Sequence, residues 1–158
     1  MAENRLPVVI ASDHAGVEMK RRLREDLVAQ GYAVEDLGPS GPEAVDYPDY
    51  AEAVARRISD GGARRGVLVC GTGIGMAIAA NKFPGVRAAL LYDDEAARYA
   101  RLHNDANVAV FGARTMTPDE AASRLRTFLS EPFEKGRHAR RLDKIARIEK
   151  RLASPNSR

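Results

Sequence analysis

The chain has 158 residues, 44% of them hydrophobic, a single cysteine and a net charge of +3, which is enough for one core and excludes a disulfide framework. No apolar run approaches the roughly 20 residues of a membrane helix, and Met1 to Pro7 is polar, with Val8 to Ala11 too short for a secretory leader, so a cytoplasmic domain over residues 1–152 without a membrane partner is expected. Residues 135–158 carry nine Lys and Arg against Asp143 and Glu149, a local +7 that leaves the first 134 residues at −4. No nucleic-acid motif or aromatic interleaving accompanies that basic end, and an anionic small molecule or a solvated helix face accounts for it equally well.

In chain order, Val8 to Ala11 is the first strand-like run, followed by Ser12-Asp13-His14-Ala15-Gly16. Gly16 to Gln30 carries Val17, Leu23 and Leu27 at helical spacing and is stopped by Gly31. Ala33 to Asp36 is a second strand. The irregular stretch Gly38 to Pro48 then holds three prolines and two glycines, and long loops in compact domains are often functional. Pro48 opens a helix with Ala51, Val54, Ala55 and Ile58 on one side, ending at Gly61-Gly62. Val67 to Cys70 is the third strand, Gly75 to Asn81 a helix, Val86 to Leu91 the fourth strand, Asp94 to Asn104 a helix, Val108 to Phe111 the fifth strand and Pro118 to Leu129 a helix. The basic end forms a last helix whose stripe of Leu142, Ile145, Ile148 and Leu152 suits docking on the core or on a second subunit, with residues 153–158 read as a disordered tail. Strictly alternating strands and helices imply a parallel sheet covered on both faces, with ligands beyond the carboxyl ends of the strands.

On that basis the loops following Val8–Ala11, Val67–Cys70 and Val108–Phe111, together with His103-Asn104-Asp105-Ala106-Asn107, are expected to converge on one rim. Cys70 ends an apolar strand just where Gly71-Thr72-Gly73-Ile74-Gly75 turns into a helix. A lone cysteine is usually a small buried hydrophobe, and alternating glycines are as often a plain tight turn. Here the helix end and backbone N–H groups favour a thiolate, so Cys70 is a candidate nucleophile or base, with Thr72 and nearby amides stabilising an oxyanion. Gly71 and Gly73 match the start of a dinucleotide fingerprint, but Met76 breaks it and no Walker pattern exists. Asp13 could serve only as a helix cap, and lone histidines are mostly surface residues. Two of three histidines, His14 and His103, beside Asp13 and Asn104 argue for chemistry instead. Arg137 and Arg141, four apart on one helix face, suit a phosphate clamp. No metal-ligand spacing is present.

Ser12-Asp13-His14-Ala15-Gly16, Asp46-Tyr47-Pro48, Cys70 to Met76 with Ala79-Ala80-Asn81-Lys82, His103 to Val108 and Gly136-Arg137-His138 together resemble the ribose-5-phosphate isomerase B family over residues 8 to about 150. The resemblance implies a three-layer α/β/α sandwich with a five-stranded parallel Rossmann-like sheet and a C-terminal helix. It also implies a homodimer, or a pair of dimers, with active sites built from both subunits. The implied reaction interconverts D-ribose 5-phosphate and D-ribulose 5-phosphate without metal or organic cofactor. Some members use a glutamate base where this chain has Met76, so the resemblance is to the cysteine type. It gives Asp13 and His103 ring opening, Cys70 the C2 proton, and Thr72 with the amides of Gly71, Gly73, Ile74 and Gly75 the enediolate charge. His14, Arg137 and Arg141, with Arg114, are the implied phosphate ligands, and Tyr47 and Asn104 the sugar contacts. Relatives acting on allose 6-phosphate, galactose 6-phosphate or a tetrulose phosphate share this layout, and a non-catalytic phosphosugar-binding module is the alternative from another class.

Overall fold

The computed structural model describes residues 6–155. Five strands, β1 (Val8–Ser12), β2 (Val34–Asp36), β3 (Arg65–Cys70), β4 (Ala88–Leu90) and β5 (Val108–Gly112), form one sheet in the order β2-β1-β3-β5-β4, every pair parallel. The helices are α1 (Val17–Ala29), α2 (Tyr47–Ser59), α3 (Ile74–Ala80), α4 (Asp94–Leu102), α5 (Pro118–Ser130) and α6 (Arg137–Ala153). Right-handed crossovers dictate which face each helix takes. The chain steps from β1 to β2 and later back from β4 to β5 in one direction, and from β2 through β3 to β4 in the other. Accordingly, α1, α4 and α5 share one face, with Leu23, Leu27, Ala97, Leu125 and Phe128 packed on Ile10, Val67, Val69 and Phe111. Helices α2 and α3 share the opposite face, with Val54, Ile58, Met76 and Ala80 on Val9, Leu68, Val108 and Val110. Successive strand residues alternate between those two cores, as a pleated sheet buried on both sides requires.

The element boundaries differ from expectation where caps and turns decide them. The first helix is preceded by a 3-10 turn, His14–Gly16, because the Asp13 carboxylate accepts the Gly16 N–H at 3.1 Å. The fourth strand shrinks from Val86–Leu91 to Ala88–Leu90 because it lies at the edge of the sheet and pairs only with β5. Helix α6 continues through Ala153, the first residue of the expected tail, of which residues 156–158 lie outside the described residues. No helix among the described residues is long and apolar enough to cross a membrane.

Lys20 lies on α1 at 3% exposure and is held by the Asp36 carboxylate at 2.8 Å and the Pro39 carbonyl at 2.6 Å. A buried ammonium needs such partners. This one ties the start of the Gly38–Pro48 loop to the body of the domain, and that loop delivers Tyr47 to the site.

Candidate active site

The register fixes the first half of the site. Ser12 stands beside Val69 and Cys70 beside Gly112, and the Asp13 N–H donates to the Val69 carbonyl at 3.0 Å. Asp13, only 8% exposed, is therefore pinned next to Cys70 at the carboxyl ends of adjacent strands. Cys70 is 5% exposed, and its Sγ accepts the Gly73 N–H at 3.1 Å. Gly73 caps α3 in the left-handed conformation, φ +81°, and a Cβ there would lie 2.4 Å from Leu90 and 3.1 Å from the Phe111 backbone. Only glycine fits this turn without displacement. Thr72 is exposed, with its hydroxyl 3.4 Å from the Ile74 N–H. The expectation that the whole run from Gly71 to Gly75 offers its amides to an oxyanion is thus narrowed, because those of Gly73 and Ile74 are engaged inside the loop.

Three more expected residues gather around the same turn. The Ala113 and Arg114 N–H groups donate to the carbonyls of Cys70 and Gly71 at 2.8 Å each, and the Arg114 guanidinium covers Gly71, where a Cβ would come within 2.9 Å of Nη1. The Tyr47 ring lies against Gly75, 2.6 Å from where a Cβ would stand. The Gly38–Pro48 loop is tethered by the Val45 N–H, which donates to His14 Nδ1 at 3.2 Å. With Nδ1 accepting, a neutral His14 carries its proton on Nε2.

His103 and Asn104 correct the expectation of a single rim. They follow α4 and lead into β5, so they sit at the amino end of the parallel sheet, whereas Cys70 and Asp13 sit at its carboxyl end. The five residues of β5 separate the two edges by about 16 Å at roughly 3.3 Å per residue. Within one chain the sulfur and this imidazole serve opposite edges of the sheet.

The second edge is itself well built. Arg101 Nη1 donates to the Asp105 carboxylate and the Ala106 carbonyl at 2.7 Å each, and Arg87 reaches the Asp105 carbonyl at 2.8 Å and the Asn104 carbonyl at 3.2 Å. Asn107 accepts the Arg87 N–H and donates to the Gly85 carbonyl, both at 2.8 Å. Asp105 and Asn107 therefore hold the loop that presents His103 and Asn104. The pKa of Arg65, half-buried nearby, is lowered to about 10 by burial and then by the charge of Arg101.

His103 lies between Tyr99, at 4.5 Å between ring centroids, and His138, at 4.1 Å with an interplanar angle of 10°. The Glu134 carboxylate lies 3.7 Å from His103 Nε2 and 3.4 Å from His138 Nε2. The Glu134 N–H donates to the Leu102 carbonyl at 3.0 Å, locking the turn before α6 onto the end of α4. Arg137 Nε is 3.4 Å from His138 Nε2, and Arg141 is exposed one turn further on. Burial lowers the pKa of His138 below its ordinary value, helped by the neighbouring His103 and Arg137 and opposed by Glu134. Glu134 has no sequence signal, since it belongs to no motif. His138 could have been found from its place beside Arg137, but its stack on His103 depends on the α4–α6 junction.

The fold recurs in known proteins. The family model described as Ribose/Galactose Isomerase matches residues 8–145. The chain is 39% identical over 144 residues to ribose-5-phosphate isomerase B of Escherichia coli, covering 91% of this chain and 97% of that one. The structure of ribose-5-phosphate isomerase B from Clostridium thermocellum superposes with a TM-score of 0.92 at 44% identity, covering 94% of this chain and 100% of that one. The Mycoplasma genitalium enzyme with bound ribulose-5-phosphate gives 0.90 at 42% identity over 92% of this chain and 97% of that one. With its parallel sheet, its glycine-capped cysteine loop and these matches along nearly its whole length, the chain belongs to the ribose/galactose isomerase family.

Proposed function

We propose that this protein interconverts D-ribose 5-phosphate and D-ribulose 5-phosphate, in cytoplasmic pentose phosphate metabolism, as a homodimer with two shared sites. The observation that carries the reading is the Cys70 sulfur, held by the Gly73 N–H beside the buried Asp13, with Met76 fully buried and without a proton-accepting group. The Cys70 thiolate takes the C2 proton of the open-chain aldose and returns it to C1. Thr72 and the unengaged amides of the loop stabilise the enediolate oxygen, and Asp13 with His103 moves the protons that open the sugar ring. Tyr47 and Asn104 contact the sugar, while His14, Arg114, Arg137 and Arg141 hold the phosphate. An unpaired thiol that must stay reduced suits the cytoplasm.

Two copies are required because His103 and Arg137 belong to the edge opposite Cys70. Exposed apolar side chains support pairing: Ile74 and Ile78 on α3, and Ile145, Ile148 and Leu152 on α6. Replacement of Cys70 by alanine is expected to abolish exchange of the C2 proton with solvent deuterium while ribose 5-phosphate still binds. Retained exchange would remove the sulfur as the base. Comparing kcat/KM across four-, five- and six-carbon aldose phosphates tests the substrate, and a higher value for allose 6-phosphate or galactose 6-phosphate would replace the pentose assignment.

A further inference from the structure

The junction of α4 and α6 brings His103 at the end of α4 against Glu134 and His138, which lie four residues apart around the start of α6. The ligand atoms of His103, Glu134 and His138 all lie within 4.8 Å of one another. A tetrahedral zinc-class ion with bonds of about 2.1 Å needs ligand atoms about 3.4 Å apart. The two His–Glu separations are 3.7 Å and 3.4 Å. We propose that His103, Glu134 and His138 form a binding site for a divalent zinc-class ion, complete within one chain except for an open fourth position, and that occupancy reversibly inhibits the isomerase.

Two imidazoles and one carboxylate make a donor set that such ions prefer over Mg²⁺ or Ca²⁺. His138 is 4% exposed and supplies the fixed wall of the site. His103, whose side chain is one-third exposed, supplies the movable one: its ring stacks on His138 nearly parallel, so binding rotates it until both Nε2 lone pairs meet at one point. Exposed Arg137, whose Nε is 3.4 Å from the same His138 nitrogen, swings outward into solvent. The Glu134 carboxylate offsets two of the ion's charges only in part, leaving the fourth position to water. The inhibitory half rests on the role proposed above for His103: a metal-bound imidazole has no lone pair with which to carry a proton, so ring opening stops.

The test uses chelator-treated full-length protein titrated with Co²⁺, followed by its visible absorption bands, and with Zn²⁺, followed by isomerase turnover. Binding of one Co²⁺ per chain with the intense bands of a four-coordinate site is expected, together with inhibition by Zn²⁺ that EDTA reverses. Glu134→Gln and His138→Gln should each weaken Co²⁺ binding on the order of tenfold or more, whereas Cys70→Ser should leave it unchanged; melting temperatures check that the variants fold. Full affinity in the Glu134 and His138 variants, or loss of binding in Cys70→Ser, would overturn the site. Binding that depends on Glu134 and His138 but leaves turnover intact would overturn the inhibition and the part given to His103, while the site itself would stand.

Discussion

Mixing two inactive variants gives the sharpest test of a centre shared between copies. Cys70→Ala removes a group at the carboxyl ends of the strands, and His103→Asn removes one at the amino end. With β5 spanning about 16 Å between those edges, a pentose phosphate cannot touch both groups of one chain. In the proposed symmetric dimer each site would take Cys70 from one copy and His103 from the other, so both variant homodimers would carry two broken sites. A mixed dimer concentrates both lesions in one site and leaves the other intact. Unfolding and refolding equal amounts together makes about half the dimers mixed, so turnover should return to about a quarter of wild type. Different affinity tags and native mass spectrometry count the mixed dimers, and an assay of ribulose 5-phosphate formation reads the activity. Mixed dimers present at the statistical level with no turnover above either parent would refute the split site.

Gly73→Ala places a side chain at φ +81° with its Cβ 2.4 Å from Leu90 and 3.1 Å from the Phe111 backbone, and it should lower the unfolding free energy by about 2–4 kcal/mol. A urea melt showing under about 1 kcal/mol would contradict the strain argument for this turn. Asp36→Ala strips Lys20 of its carboxylate while the ammonium stays buried, costing on the order of 2 kcal/mol, with the Pro39 carbonyl as the partner that remains. Lys20→Met in the same background should recover part of that loss, because it removes the unpaired charge; a further loss in the double variant would show that charge burial is not the cause. The His138 imidazole is held below its ordinary value by burial, then by His103 and Arg137. Between that lowered value and about 6.5 the unfolded chain binds more protons than the native one, so stability is complete above about pH 6.5 and falls as pH drops toward the native pKa. Thermal melts from pH 8 to pH 5 should therefore slope less steeply in His138→Asn, and equal slopes would dismiss the buried imidazole as a source of acid sensitivity.

Most of what is local could be read from the order of residues alone. Five apolar runs, the stops at Gly31 and Gly61, and the glycine run after Cys70 each follow from constraints within a few residues, namely backbone freedom, capping and burial period. Strict strand–helix alternation even implied the two-faced parallel sheet. The opposed rims were also within reach, because a segment that leaves a helix and enters a parallel strand must lie at the strand's amino end. Only the tertiary structure decided what depends on distant segments meeting: Lys20 against Asp36 and Pro39, Arg87 on Asp105, and His103 against Glu134 and His138. Those contacts depend on where separate segments of the chain come to lie, and side-chain periodicity along a single helix carries no information about its partner.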